Sequence, residues 1–106
     1  MVITLKQQPQ KTNEMTTKLI IYHLEDTDKD FSSIRDAIKK FPKWAKIMDR
    51  TWLIKTNKSA GYVRSFLSES IGNRGKIFVI NLETKTWGSY GVDKKTTEWL
   101  KENLDI

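Results

Sequence analysis

The sequence predicts an α+β sandwich, and three observations predict it. β-Branched or aromatic runs of strand length stand at residues 18–24, 44–48, 51–56 and 76–82. After the first and third of these runs, apolar residues recur at three- and four-residue steps, the stripe of an amphipathic helix. Gly, Pro, Asn and Asp punctuate the junctions. The resulting order, β-α-β-β-α-β, is the ferredoxin-like, split βαβ arrangement, with helices on one face of an antiparallel sheet. A C-terminal strand and a short helix are expected beyond it.

The run KLIIYHL at 18–24 is bounded by acidic turn residues and reads as a buried central strand. The polar stretch EDTDKD at 25–30 ends in a helix N-cap, Asp30 or Asp28. Phe31, Ile34, Ile38 and Phe41 form the helical stripe, and Pro42 stops it, because the residue before a proline avoids the helical region. Residues 44–48 and 51–56 are two β-rich runs split by Asp49-Arg50, a hairpin pattern. Asn57 or Thr56 is the expected cap of a second helix, whose apolar face is Ala60, Val63, Phe66, Leu67 and Ile71. Gly72-Asn73-Arg74-Gly75 ends it by glycine C-cap logic. KIFVINL at 76–82 is the fourth strand, residues 84–92 an edge strand or extended arm with Trp87 and Tyr90, and Asp93 the cap of a last helix with Trp99, Leu100 and Leu104.

The length of 106 residues is one domain's worth. Residues 1–16 are expected to be a flexible tail, or sequence upstream of a start at Met15, and 17–106 a single domain. A strand added by residues 2–5 is the alternative for the tail. Four Trp, four Phe and three Tyr supply much of the core, since each buried aromatic removes about 150–250 Å² from water. The chain has no Cys, which excludes disulfides, thiolate metal sites and Cys nucleophiles and suits a reducing, cytoplasmic location. No apolar run approaches the roughly 18 residues needed to span a bilayer, and residues 1–15 do not read as a signal peptide.

Net charge is +6, and it is concentrated. Between Lys39 and Lys76 stand ten Lys or Arg residues against two acidic ones, Asp49 and Glu69. Such a basic middle suits a polyanionic partner. It is equally the composition of a solvated, solubilising surface. Lys43, Lys46, Arg50, Lys55, Lys58 and Arg64 are the candidates for phosphate contact. Trp44 and Trp52 flank the hairpin and could stack bases beside them; as core or interface anchors they would be buried instead. Trp87, in the late segment, suits a homodimer contact.

His23 is the only histidine. As a general base it could work near neutral pH, and protonated it could hold a phosphate; as a structural residue it would be satisfied by a neighbour or lie in a dimer contact. Asp26 and Asp28, with Glu25 and Asp30 around them and Asp49 at the hairpin tip, are candidate oxygen ligands for Mg²⁺, or else loop and capping residues. No nucleotide-binding glycine motif, Gly-x-Ser-x-Gly or metal-binding His pair is present, and KIFVINL carries one aromatic where base-stacking sheets use two or three.

The strand KLIIYHL, the helix DFSSIRDAIKKF and the stretch KWAKIMDRTWLIKTNKSA resemble a family of small bacterial and phage proteins labelled SinR-like. That family is related to VapD and to the CRISPR-associated protein Cas two. Trp44, Asp49, Thr51, Trp52, Lys55, Thr56, Ser59 and Ala60 carry the most distinctive part, and KIFVINL followed by Trp87-Gly88 continues it. The resemblance covers roughly residues 17–90 and implies a ferredoxin-like fold and a homodimer. In the resembled proteins the first strand ends Tyr-Asp, the Asp being a proposed metal ligand for phosphodiester cleavage. Here the pair is Tyr22-His23. Imidazole suits zinc-like metals better than Mg²⁺. The expectation is therefore a nucleic-acid-associated homodimer lacking efficient Mg²⁺-dependent cleavage, with His23 and Asp49 as the residues any surviving catalysis would use. No cofactor is expected; Mg²⁺ or Mn²⁺ enters only with the nuclease reading. The alternative is a protein-binding module, a phage or mobile-element factor that modulates a host protein. No membrane partner is expected.

Overall fold

The computed structural model describes residues 15–25, 32–72, 74–83 and 86–104. Their order is β1 (Thr16–Leu24), α1 (Ser32–Ile38), β2 (Lys43–Met48), β3 (Thr51–Thr56), α2 (Ala60–Ile71), β4 (Gly75–Leu82) and α3 (Lys94–Leu104). The fold is α+β. Four strands form one open antiparallel sheet in the order β2-β3-β1-β4, compatible with the ferredoxin-like class.

Strand pleating sends alternate residues of β1 to opposite faces. Ile20, Tyr22 and Leu24 join Trp52 and Ile54 of β3 and meet Ile34, Ala37 and Ile38 of α1 and Val63, Leu67 and Ile71 of α2 in the main core. On the other face, Leu100 and Leu104 of α3 pack on Leu53, with Leu19, Ile47, Leu82, Trp87 and Trp99 around them. Because both faces of β1 meet apolar side chains, its sequence runs apolar instead of alternating. The two helices of the βαββαβ unit, α1 and α2, lie on one face, and the appended α3 covers part of the other.

Three expectations are corrected. Among the described residues 86–93 no strand forms. The segment must pass from the end of β4 to α3, which lies over β2 and β3, so it travels across a sheet face and not along an edge; Trp87 anchors it in the second cluster. The cap of α2 is Ser59, not Asn57 or Thr56: Ser59 Oγ accepts from the Tyr62 amide at 3.0 Å. The Thr56 hydroxyl is used instead by the Lys58 amide, 3.1 Å away, which turns the chain out of β3. The first strand begins at Thr16, opposite Thr56, so pairing starts inside the stretch read as tail. The expected cap of α1 (Asp28 or Asp30), Phe31 and residues 1–14 lie outside the described residues.

Where the expected local signals hold, the chemistry is visible. Pro42 and the buried Phe41 follow α1, Gly72 ends α2 at φ 62° with its N–H on Ser68 O, and Asp93 Oδ1 accepts from the Thr96 amide at 2.7 Å at the start of α3. Asp49-Arg50 joins β2 to β3, with Arg50 left-handed at φ 63° and a ladder irregularity between Lys46 and Met48, the turn-plus-bulge geometry of a short hairpin.

Candidate nucleic-acid interface

The cations of the basic middle do not share one surface. α1 ends, β2 begins, β3 ends and α2 begins at the same end of the sheet, so Lys39, Lys40, Lys43, Lys55 and Lys58 are delivered there by two connections, α1–β2 and β3–α2. Lys43 and Lys55 are direct cross-strand partners in the β2–β3 ladder. They lie on the face away from α1 and α2, the face of their row neighbours Ala45 and Leu53. Neither makes an ion pair among the described residues. Like charges set directly opposite each other destabilise a sheet, so the pair is a local cost with no local gain.

The remaining candidates lie elsewhere. Lys46 stands opposite Trp52, near the hairpin end of β3, and is ion-paired with Asp49 at 3.4 Å, an exposed contact of small worth. Arg50 forms the hairpin tip at the far end. Arg64 is exposed on α2. Arg74 is engaged with its own chain: Nε donates to Ile71 O at 2.9 Å and Nη2 to Ser70 O at 3.5 Å, closing the end of α2.

His23 and Asp49 are also at the far end. His23 is exposed, on the face away from α1 and α2, with Lys76 as its cross-strand partner. The Tyr22 amide beside it donates to Arg50 O at 3.1 Å, which brings the hairpin tip to the end of β1. The rows of Lys55 and His23 are six β1 residues apart, from Thr17 to His23, about 20 Å at roughly 3.3 Å per residue. The lysine cluster and the candidate catalytic residues therefore occupy opposite ends of the sheet. Asp26 and Asp28 lie outside the described residues. Among the described residues no three His, Asp or Glu side chains gather as a metal site would need.

The tryptophans divide. Trp44 and Trp52 do point to one side, with ring centroids 5.8 Å apart. Trp52, however, is 1% exposed and belongs to the main core, so it offers no base a free face; its indole N–H has no hydrogen-bond partner among the described residues. Trp44 is partly exposed on the edge strand, and the Lys39 ammonium sits 5.1 Å over its ring. Trp87 packs on the α3 cluster.

Beside the lysine cluster is a cavity of about 370 Å³ lined by Lys40, Phe41, Pro42, Thr56, Asn57, Lys58, Tyr62 and Phe66. No carboxylate is among them. A second cavity of about 300 Å³, between Trp44 and Trp99, mixes the Asp93 carboxylate with Lys46 and Lys95. Lys39 and Lys40 count among the basic middle, but their place beside Lys43 and Lys58 comes from the chain reversal at Phe41-Pro42. Tyr62 and Phe66 carry no motif; the signal that could have found Tyr62 is its position three residues after the Ser59 cap, in the first turn and off the buried Val63–Leu67–Ile71 stripe.

Among the described residues, Lys18 is the one Lys, Arg, Asp, Glu or His side chain buried in the sheet. Lys18 donates to Thr16 Oγ1 and to Asn81 Oδ1, the latter at 2.8 Å, and burial holds its pKa below the ordinary 10.5 while Glu83 opposes that shift. It is engaged internally and adds nothing to the outer cluster. No helix among the described residues is long and apolar enough to cross a membrane.

No protein-family model matches this chain, and no curated protein and no solved structure matches it either.

Proposed function

We propose that this chain is a ferredoxin-like, nucleic-acid-associated homodimer of the Cas two/VapD-like kind, which grips phosphate backbones and is not an efficient Mg²⁺ nuclease. The element order βαββαβ and the sheet order β2-β3-β1-β4, antiparallel throughout, support the ferredoxin-like reading. The observation that carries the functional reading is the lysine end: Lys39, Lys40, Lys43, Lys55 and Lys58 gather there, with Lys43 and Lys55 side by side and unpaired among the described residues. A polyanion relieves that repulsion and gains counterion release in proportion to the phosphates neutralised. Binding of this kind positions a backbone without reading bases. His23 in place of a carboxylate, about 20 Å from the cluster by strand geometry, argues against efficient cleavage of what the cluster holds.

The homodimer reading has its own support. Met48, Thr51, Ile21 and Phe78 form one row across all four strands on the face that α3 leaves open, and Met48, Ile21, Phe78 and neighbouring Ile80 are all exposed. Apolar groups aligned this way beside an edge strand, β4, suit a protein contact. The same strip favours the second reading, a protein-binding module that seats a host protein there.

Fluorescence anisotropy with labelled duplex DNA and single-stranded RNA over a salt series tests the first reading, with gels of the same samples in Mg²⁺ or Mn²⁺. Affinity that falls steeply with salt, on intact oligonucleotides, supports it. No binding at low salt rejects it, and shortened oligonucleotides revive cleavage by His23 and Asp49. Light scattering after size exclusion separates a dimer from a monomer of 12.4 kDa; a monomer turns the apolar strip toward a different protein partner.

A further inference from the structure

We infer that the cavity at the lysine end holds one unpaired base of a single-stranded nucleic acid, with the phosphates on either side taken by Lys40 and Lys58. The inference rests on the nucleic-acid reading above and adds the strand form that the site prefers. The cavity, about 370 Å³, is within the usual size range of small-ligand sites. Its apolar lining residues are Phe41, Phe66, Tyr62 and Pro42; its polar ones are Asn57 and Thr56, whose hydroxyl already accepts from the Lys58 amide. A planar heterocycle needs that combination, flat apolar walls with a few donors and acceptors at the edge. The two ammonium groups, with no carboxylate among the lining residues, set the sign of the ligand's charge.

Tyr62 is the residue that makes the pocket a stacking site. It is 48% exposed, although it is a large aromatic in the first turn of a helix whose buried stripe lies elsewhere. Its ring lies parallel to that of Phe66, 6° apart at a centroid separation of 6.3 Å, and Phe66 is in turn braced edge-on by Phe41 at 5.5 Å. The ledge is therefore rigid. Lys58 hangs over the Tyr62 ring at 5.0 Å. An exposed cation–π contact is weak, so a base can displace the ammonium from the ring while a flanking phosphate receives it. A paired base inside a duplex has both faces covered by its neighbours and cannot enter. Stacking on one aromatic tolerates any base, so the preference is for single strands and not for a sequence.

Anisotropy of a labelled oligothymidylate 12-mer and of a 12-base-pair duplex, at one low salt concentration, tests this with the full chain, Tyr62→Ala and Tyr62→Phe. The expected result is tighter binding of the single strand by the full chain. Tyr62→Ala should lose roughly five- to 150-fold on the single strand, leave the duplex within twofold, and be rescued by Tyr62→Phe. Single-strand affinity unchanged in Tyr62→Ala, or an equal loss on both ligands, overturns the pocket while leaving backbone binding standing. Failure of the full chain to bind either ligand rejects both together. Circular dichroism of each variant reports the fold; if Tyr62→Ala unfolds, Asn57→Ala in the same cavity must show the single-strand-selective loss, or the inference fails.

Discussion

Gly75 shows how tightly a single position can be held. A Cβ placed there would lie 2.2 Å from the carbonyl oxygen of His23 and 3.0 Å from Leu24 Cδ2, so the first residue of β4 must be glycine for the β1–β4 ladder to close. Gly75→Ala is expected to cost roughly 1–3 kcal/mol, the usual range for overpacking, read as a lowered urea midpoint. Lys18 sets a different local cost. Burial disfavours its ammonium, so the folded pKa lies below the unfolded value of about 10.5. The penalty is full below the folded value and is relieved as pH rises through it toward 10.5, because in that window the unfolded chain binds more protons. Stability should therefore climb with pH in the alkaline range, and Lys18→Met should flatten that climb. A wild-type profile that falls or stays level across that range would contradict this. Sequence reading placed Lys18 at a strand start; its burial could not be read there, because it depends on Asn81 of β4 closing over the same face.

The helices were the most legible elements, since their signals are local. The stripes of α1 and α2, the Pro42 stop and the Gly72 and Asp93 caps follow from residues a few positions apart. Asp93 turns its cap into a pH response. The Thr96 amide, then the Thr96 hydroxyl and the neighbouring Lys95, hold the Asp93 carboxyl below its ordinary 3.8. That contribution is present above the unfolded value and is lost as pH falls through the folded one. Acid titration should therefore loosen α3 late, seen as a change in Trp99 fluorescence, and Asp93→Asn should keep the cap while removing this part of the acid dependence. An unchanged acid profile in Asp93→Asn would show that the carboxylate does not set it. The cap of α2 was misread because Thr56, Asn57 and Ser59 all fit the local pattern, and only the path of the chain out of β3 selects Ser59.

Charge and shape separate at the level of the fold as a whole. The lysine end lies at one end of the sheet, while the apolar strip of Met48, Ile21, Phe78 and Ile80 adjoins the His23–Asp49 end at the other. The Lys43–Lys55 pair links function to stability. The double variant Lys43→Ala/Lys55→Ala should fold as well as the parent or better by a few tenths of a kcal/mol, because like charges are removed from opposite positions. Its duplex binding should weaken, with the slope of log affinity against log salt smaller by about 1.8, roughly 0.9 per lost phosphate contact. Loss of stability with an unchanged slope would mean that the pair is structural and that the lysine end does not face a polyanion.

Composition, periodicity and capping residues sufficed for the α+β class, the element order and the basic middle, because each is encoded within a few residues of where it is expressed. They could not show that α3 crosses to the second face, that Trp52 is buried while Trp44 keeps an exposed edge, or that two connections bring lysines to one end of the sheet, with Lys40 and Lys58 lining an aromatic cavity there. Those facts depend on the strand order and on which end of the sheet each connection turns. Both are set by long-range pairing between residues about 30 to 65 positions apart. A side chain's neighbours along the chain do not determine what the ladder brings to its side.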